Sequence, residues 1–308
     1  MKPKVKKSVP LSLYEFFQQF PNEDAARTYF ETRRWNGSPC CLRCGSLAVS
    51  VITTGKPMPY RCKDCRSHFS VRTGTVLAES KLGLHKWLLA IYMLHTARKG
   101  VSSVQMAKEL GITQKSAWFL DHRIRKAMQR QCGLFGGEIE IDETYIGGKQ
   151  KNKHESKKLK AGRGTVGKQA VFGLKQRNGE VKAFPINGTD RDTLQPAITA
   201  NVQVGSTLYT DSHPSYVGMA GYEHQVVVHS VGEYVRGRVH TNGIESFWAL
   251  LKRGHYGIHH YMSVKHLHRY VNEFAHRHNM TRVNTIDCMA GTVDGMIGHR
   301  LSYKELTA

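Results

Sequence analysis

The sequence predicts an α/β protein in which a mixed sheet with flanking helices follows a small four-cysteine module and a helical region. Three observations carry this prediction. Two Cys-x-x-Cys pairs stand near the N-terminus, a stretch of helix-period residues follows them, and the second half alternates short apolar strands with helical segments. The 308 residues, 40% of them hydrophobic, suffice for a buried core and for two or three modules. The boundaries are set at 1–36 for an N-terminal helical segment, 37–72 for the cysteine module, 73–133 for a helix-turn-helix-like region, 134–285 for the sheet domain and 286–308 for a C-terminal tail.

Charge narrows the choice of partner. Lys and Arg number 45 against 24 Asp and Glu, a formal net charge of +21. Such an excess lies on the surface and attracts polyanions, so nucleic acid is the expected partner. No apolar run of about 18 residues or more occurs. The basic start MKPKVKKSVP leads into amphipathic LSLYEFFQQF with Glu15, where a signal peptide would have its apolar centre. Secretion and a membrane partner are therefore not expected. The seven cysteines, an odd number with four in two close pairs, fit a reducing cytoplasm better than a disulfide framework.

Residues 40–65 read CCLRCGSLAVSVITTGKPMPYRCKDC and place Cys41-x-x-Cys44 and Cys62-x-x-Cys65 with 17 residues between the pairs. That is the spacing of a four-thiolate zinc ribbon, two knuckles joined by a hairpin. Gly45 suits a knuckle that needs a left-handed residue, and GKP at 55–57 supplies the turn. Four sulfurs close the coordination shell, so Zn2+ bound by Cys41, Cys44, Cys62 and Cys65 is expected to be structural. Cys40, next to Cys41, is an alternative ligand with a poorer spacing.

Residues 82–128 have helical periodicity throughout. VSSVQMAKELGITQKSAWFLDHRIRKAMQ reads as helix-turn-helix, with Gly111 at the turn and a basic second helix that offers Lys115, Arg123, Arg125 and Lys126 to DNA. The bland alternative is a set of amphipathic helices that only pack.

Residues 138–146, EIEIDETYI, alternate strictly. Glu138, Glu140 and Asp142 share one strand face, and Ile139, Ile141 and Glu143 share the other. A basic loop follows at 149–168, with eight Lys or Arg against one Glu. Its Lys157, Lys158, Lys160 and Arg163 are candidate phosphate contacts. AVFGLKQRNGEVKAFPI then reads as a hairpin turning at Asn178-Gly179. DRDTLQPAITANV reads as a helix capped by Asp190 or Asp192, GSTLYTDSHPSY as a strand ending at Asp211, HQVVVHS as a fifth strand, and the Glu245 segment as a final helix.

This succession, three strands with a hairpin and then helix, strand, helix, strand, helix, is the order of a ribonuclease-H-like mixed sheet. In that fold the first strand, the end of the fourth and the last helix bring Asp142, Asp211 and Glu245 together. The intervals are 69 residues from 142 to 211 and 34 from 211 to 245. Three converging carboxylates would hold two Mg2+ ions, with Mn2+ as a substitute, because hard cations take oxygen ligands and two-metal phosphoryl transfer needs such a bridge. Each acid also has a plainer reading: Asp211 as a turn residue before His213, and Glu245 as the third position of a capping box begun by Asn242. Lys252, two turns past Glu245, shares its helix face and could steer a phosphate backbone, while Trp248 and Leu251 are expected on the opposite, buried side.

The blocks CLRCGS, YRCKDCRSHFSVRTGT, IEIDETYIGGK, LYTDSHPSY, HTNGIESFWALLKRG and YVNEFAHRHN resemble, in the same order, those of DDE transposases of bacterial insertion sequences that carry an N-terminal zinc ribbon. The resemblance implies magnesium-dependent cleavage at transposon ends and joining of the freed 3′ hydroxyl to target DNA. It matches Asp142, Asp211 and Glu245 to the family's three acids and Lys252 to the basic residue after the third. Asn242 is a reserve for Glu245, because some branches use Asn or His there. Implied partners are the terminal inverted repeats, target DNA and further copies of the chain assembled on DNA, in a cytoplasmic, nucleoid-associated setting. A DNA-binding regulator with an inactive catalytic domain, or a nuclease that never joins strands, would share much of this sequence.

Overall fold

The computed structural model describes residues 9–129, 133–148, 150–159, 164–227 and 239–308, and the chain divides into two compact units. The first comprises residues 1–130 with 280–308, and the second residues 131–279.

In the first unit, α1 (Leu13–Gln19) opens with a capping box between Ser12 and Glu15, and α2 (Glu23–Trp35) is capped by Asn22 and ends at left-handed Asn36. β1 (Val49–Val51), β2 (Tyr60–Cys62) and β3 (His68–Phe69) form an antiparallel three-stranded sheet. Next come α3 (Leu84–Thr96), α4 (Ser103–Leu110) and α5 (Gln114–Ala127). The N-cap position of α3 is Gly83, which has no side chain to cap with. The carboxylate of Glu23 does so from α2, accepting the Leu84 and His85 amides at 2.7 and 2.9 Å. Helices α4 and α5 meet at Gly111, whose φ of +58° is the left-handed value that a tight helix end requires.

The second unit holds β4 (Glu138–Ile146), β5 (Gln169–Gln176), β6 (Val181–Ile186), α6 (Arg191–Thr199, capped by Asp190), β7 (Thr207–Thr210), β8 (Glu223–Val226), α7 (Asn242–Gly254) and α8 (Val264–Asn279). The sheet runs β6-β5-β4-β7-β8, antiparallel among β4, β5 and β6 and parallel among β4, β7 and β8. This is the ribonuclease-H-like arrangement. Of the expected fifth strand, residues 228–230 lie outside the described residues. Alternation sorts the side chains into two layers. Ile139, Ile141, Phe172 and Leu174 pack with Leu194 and Ile198 of α6 on one face, whereas Val171, Val181 and Ala183 pack with Ile244, Phe247 and Leu251 of α7 and Phe274 of α8 on the other. The acidic row of β4 therefore lies on the face that receives α7.

After α8 the chain returns to the first unit as α9 (Thr285–Asp294) and α10 (Tyr303–Thr307). Residues 286–308, set apart in the sequence as a tail, thus include core-forming positions. Met289, Val293 and Met296 recur at helical spacing and join the hydrophobic core of that unit.

Candidate active site and zinc ribbon

The zinc ribbon is built by two knuckles of the same shape. Cys41 Sγ lies 3.4 Å from Cys65 Sγ and Cys44 Sγ lies 3.6 Å from Cys62 Sγ, and all four sulfurs fall within 4.8 Å of one another. Gly45 follows the first pair at φ +74° and Arg66 follows the second at φ 59°, so each knuckle turns through one left-handed residue. Cys40 stands outside the four-sulfur group. Four converging thiols are a tetrahedral, all-sulfur donor set, which suits structural zinc and leaves no position for substrate.

In the second unit, the three acids on one face of β4 have different partners. Arg177, on the β5–β6 turn, reaches back to both Glu138 (3.8 Å) and Glu140 (3.4 Å) and lies over the Tyr209 ring at 4.1 Å. Glu138 also accepts the Tyr209 hydroxyl at 2.7 Å. Glu140, 2% exposed, accepts the Ile244 amide at 2.9 Å and faces His240 at 3.5 Å. Among the described residues, Asp142 receives only neutral donors. Its Oδ1 accepts the Glu143 amide and its Oδ2 the Trp248 indole N–H, each at 2.9 Å. Among the described residues, no Lys, Arg or His forms an ion pair with it.

Burial, with the nearby charges of Glu143 and Asp211, pushes the Asp142 carboxyl up to about 7. Glu143 is raised too, first by burial, although the buried Tyr216 hydroxyl donates to it. Asp211 therefore faces two acids, one from each face of β4. The pairing of β4 with β7 explains why. The interval from Glu138 to its partner Thr207 equals that from Asp142 to Asp211, so continuing the register sets the two aspartates abreast. Asp211 also accepts the His213 amide at 3.0 Å, so it is a turn residue as well as a member of the acidic pair.

Glu245 is exposed on the first turn of α7, its Oε1 accepting the Thr241 hydroxyl at 2.8 Å. The capping box anticipated from Asn242 is absent. Asn242 is the first helical residue, Thr241 is the N-cap without a side-chain cap bond, and Glu140 takes the Ile244 amide. Among the described residues, the four cysteines are the one group of three or more His, Cys, Asp or Glu whose ligand atoms lie within 4.8 Å of each other. Asp142 and Asp211 are thus brought together, and Glu245 is not drawn into contact with both. Trp248, expected on the side away from the acids, is buried but aims its N–H at Asp142, because three residues past Glu245 is a neighbouring helical position.

The local sequence gives Arg177, Glu140 and Gly173 no role. Gly173, paired with Asp142 across β4 and β5, is the one with a readable signal, a glycine interrupting the apolar strand AVFGL.

The basic candidates separate by burial. Lys115 is exposed and Lys126 partly so, whereas Arg123 and Arg125 are 4% and 2% exposed. Arg123 donates to the Ala78 carbonyl and lies over the Trp87 and Phe119 rings at 5.3 and 4.9 Å. Lys158 pairs with Glu155 at 2.5 Å, while Lys160, Arg163 and the side chain of Lys157 lie outside the described residues. Lys252 and Arg253 are exposed on the last turn of α7. No acid occurs between Glu245 and Glu273, a stretch holding Lys252, Arg253, Lys265, Arg269 and five histidines. One of these, His255, is buried, and desolvation lowers its pKa. Among the described residues, no helix is long and apolar enough to cross a membrane.

Two family models agree with this architecture. Residues 134–279 match the family model of the ISXO2-like transposase domain, and residues 21–68 match that of the transposase zinc-ribbon domain. A protein of Halobacterium salinarum from transposable element ISH50 is 30% identical over 249 residues, covering 76% of this chain and 83% of that protein. A chain from a simian T-cell lymphotropic virus intasome solved with the PP2A regulatory subunit B56 gamma is 15% identical, with a TM-score of 0.29. That match covers 60% of this chain and 65% of that one. The chain belongs to the ISXO2-like transposases, the insertion-sequence family in which a zinc ribbon precedes a DDE domain.

Proposed function

We propose that this transposase binds the terminal repeats of its element, cleaves them in a magnesium-dependent reaction and joins the freed 3′ hydroxyl to target DNA. The observation that carries the reading is the contrast within β4. Arg177 pairs with both Glu138 and Glu140, while Asp142 stands against Glu143 and Asp211 and, among the described residues, forms no ion pair with a cation. An all-oxygen donor set with this concentration of negative charge fits divalent cations. Asp142 and Asp211 would hold them, with Glu245 turning from Thr241 to complete the set and Asn242 in reserve.

Bound magnesium would lower the pKa of the attacking water or hydroxyl and stabilise the leaving oxygen. The residues of the chain set the stage for that chemistry. Trp248 fixes the Asp142 carboxylate, and Glu140 holds the start of the helix that carries Glu245. Lys252 and Arg253 stand along that helix where a phosphate backbone would pass, and Lys115, Lys126 and the 149–168 loop add non-specific grip. Water and then the 3′ hydroxyl act as nucleophiles, so no covalent enzyme intermediate forms. Acting on two ends at once calls for more than one copy of the chain on DNA.

The test is cleavage of a labelled duplex bearing the element's terminal repeat, with Mg2+, by the parent, Glu245→Gln and Asn242→Ala. Loss of nicking in Glu245→Gln with end binding retained supports the reading. Undiminished nicking by Glu245→Gln, with loss in Asn242→Ala, moves the third ligand to Asn242. A labelled 3′ end that never becomes covalently joined to target DNA reduces the activity to hydrolysis.

A further inference from the structure

Two bonds fasten α7 to β4, and they arise from alternate acids on one strand face. Glu140 Oε2 accepts the Ile244 amide at 2.9 Å, and Asp142 Oδ2 accepts Trp248 Nε1–H at 2.9 Å. Both depend on missing side chains. A Cβ at Gly173 would fall 2.4 Å from Trp248 Cζ2 and 2.6 Å from Cη2. A Cβ at Gly243 would fall 2.7 Å from Glu140 Oε2. Gly173 lies directly across from Asp142 in the β4–β5 register, so the space it leaves lets the indole reach that carboxylate.

We infer that Trp248 is a positioning residue for metal binding: its indole N–H, admitted by Gly173, fixes the plane of the Asp142 carboxylate and ties it to the helix that bears Glu245. This rests on the reading of Asp142 as a metal ligand. With Oδ1 taken by the Glu143 amide and Oδ2 by the indole, the carboxylate cannot rotate freely, and each oxygen keeps a lone pair for a cation. Groups that hold a ligand in this way typically contribute about 10–100-fold in metal affinity. The indole does so without adding charge, so it orients the carboxylate while leaving its demand for a cation intact. A buried indole N–H takes an acceptor in any case, and what sets this one apart is that its acceptor is the Asp142 carboxylate.

The test is calorimetric titration of the full-length, zinc-loaded protein with Mn2+, without DNA, for the parent, Trp248→Phe, Gly173→Ala and Asp142→Asn, each also followed by thermal melting. Phenylalanine keeps the apolar ring and removes the N–H. Alanine at Gly173 keeps the N–H and displaces it. The inference predicts that both bind Mn2+ about tenfold or more weakly while melting cooperatively, and that Asp142→Asn does not bind at this site. Parent-like Mn2+ affinity in Trp248→Phe overturns it, leaving the metal reading intact. Absence of Mn2+ binding in the parent itself defeats the metal reading, and the inference with it. Failure of both variants to fold assigns the indole to the core and likewise overturns the positioning role.

Discussion

Glu140 lies across the start of α7, its Oε2 accepting the Ile244 amide at 2.9 Å, so the helix that carries Glu245 is capped by a different glutamate from a different element. Glu245 is thereby released from the capping role that its place in the first turn would suggest. The two acids should separate cleanly under mutation. Glu140→Ala leaves Arg177 without its closest carboxylate and the helix start without its acceptor, and it should cost about 3 kcal/mol or more. Glu245→Gln removes an exposed charge and should change stability by about 0.5 kcal/mol or less, while abolishing strand cleavage. Urea denaturation beside a nicking assay checks both. Equal stability losses in the two variants would contradict the division of roles.

The Asp142 carboxyl stands at about 7 in the folded chain, against about 3.9 when unfolded. The folded chain therefore keeps a proton that the unfolded chain has released, and the contribution of Asp142 to stability falls as pH rises from about 4 to about 7. Above that range the penalty is complete, with an upper limit of about 4 kcal/mol. Metal-free Asp142→Asn should thus be more stable than the parent at pH 8 and nearly equal to it at pH 4. Mg2+ should raise the stability of the parent alone. Urea curves at the two pH values decide the matter: an Asn variant weaker than the parent at pH 8 would remove the electrostatic argument.

Much of this was legible in the sequence, for physical reasons that differ from site to site. The zinc ribbon is a local feature, so two Cys-x-x-Cys pairs disclose it without tertiary information. The faces of β4 follow from strand alternation, and the equal spacing of Asp142–Asp211 and Glu138–Thr207 expresses a strand register. What stayed hidden was long-range partnership. Nothing local shows that Arg177 comes back over Glu138 and Glu140, or that a buried tryptophan spends its N–H on Asp142. Helix-turn-helix spacing likewise located Gly111 but could not tell that Arg123 faces Trp87 and the Ala78 carbonyl.

The ribbon shares one hydrophobic core with the rest of the first unit: Cys41, Cys62 and Phe69 cluster with Phe30 and Trp35, and Trp35 meets the rings of Tyr60 and Phe69 edge-on. Zinc binding is therefore coupled to the stability of a larger body than the hairpin. The protein should carry one tightly held zinc per chain at this site. Stripping it with a strong chelator should lower the melting temperature of the first unit by several degrees. Cys44→Ser should lose the metal, and Cys40→Ser should retain it. Zinc content by elemental analysis distinguishes them, and metal loss in Cys40→Ser would contradict the ligand assignment.

Arg123 and Lys252 are both cations that the sequence offers to DNA, and their surroundings predict opposite phenotypes. The Arg123 guanidinium is held by the Ala78 carbonyl and two aromatic rings inside the first unit, where burial pulls its pKa down to about 10. Truncating it removes the donor to the half-buried Ala78 carbonyl and two cation–π contacts, so Arg123→Ala should destabilise the protein by roughly 1–3 kcal/mol. The variant that remains folded should bind end DNA with the parent's salt dependence. Lys252 is exposed and is the first cation of the acid-free stretch between Glu245 and Glu273. Lys252→Ala should leave melting unchanged, weaken binding to specific and unrelated duplexes alike, and reduce the slope of log affinity against log salt by about one. Binding isotherms at three or more salt concentrations measure that slope. A reduced slope in a fully stable Arg123→Ala would mean that the arginine leaves its aromatic bed to meet DNA, and the helix-turn-helix would then regain the contact that burial in the free chain denies it.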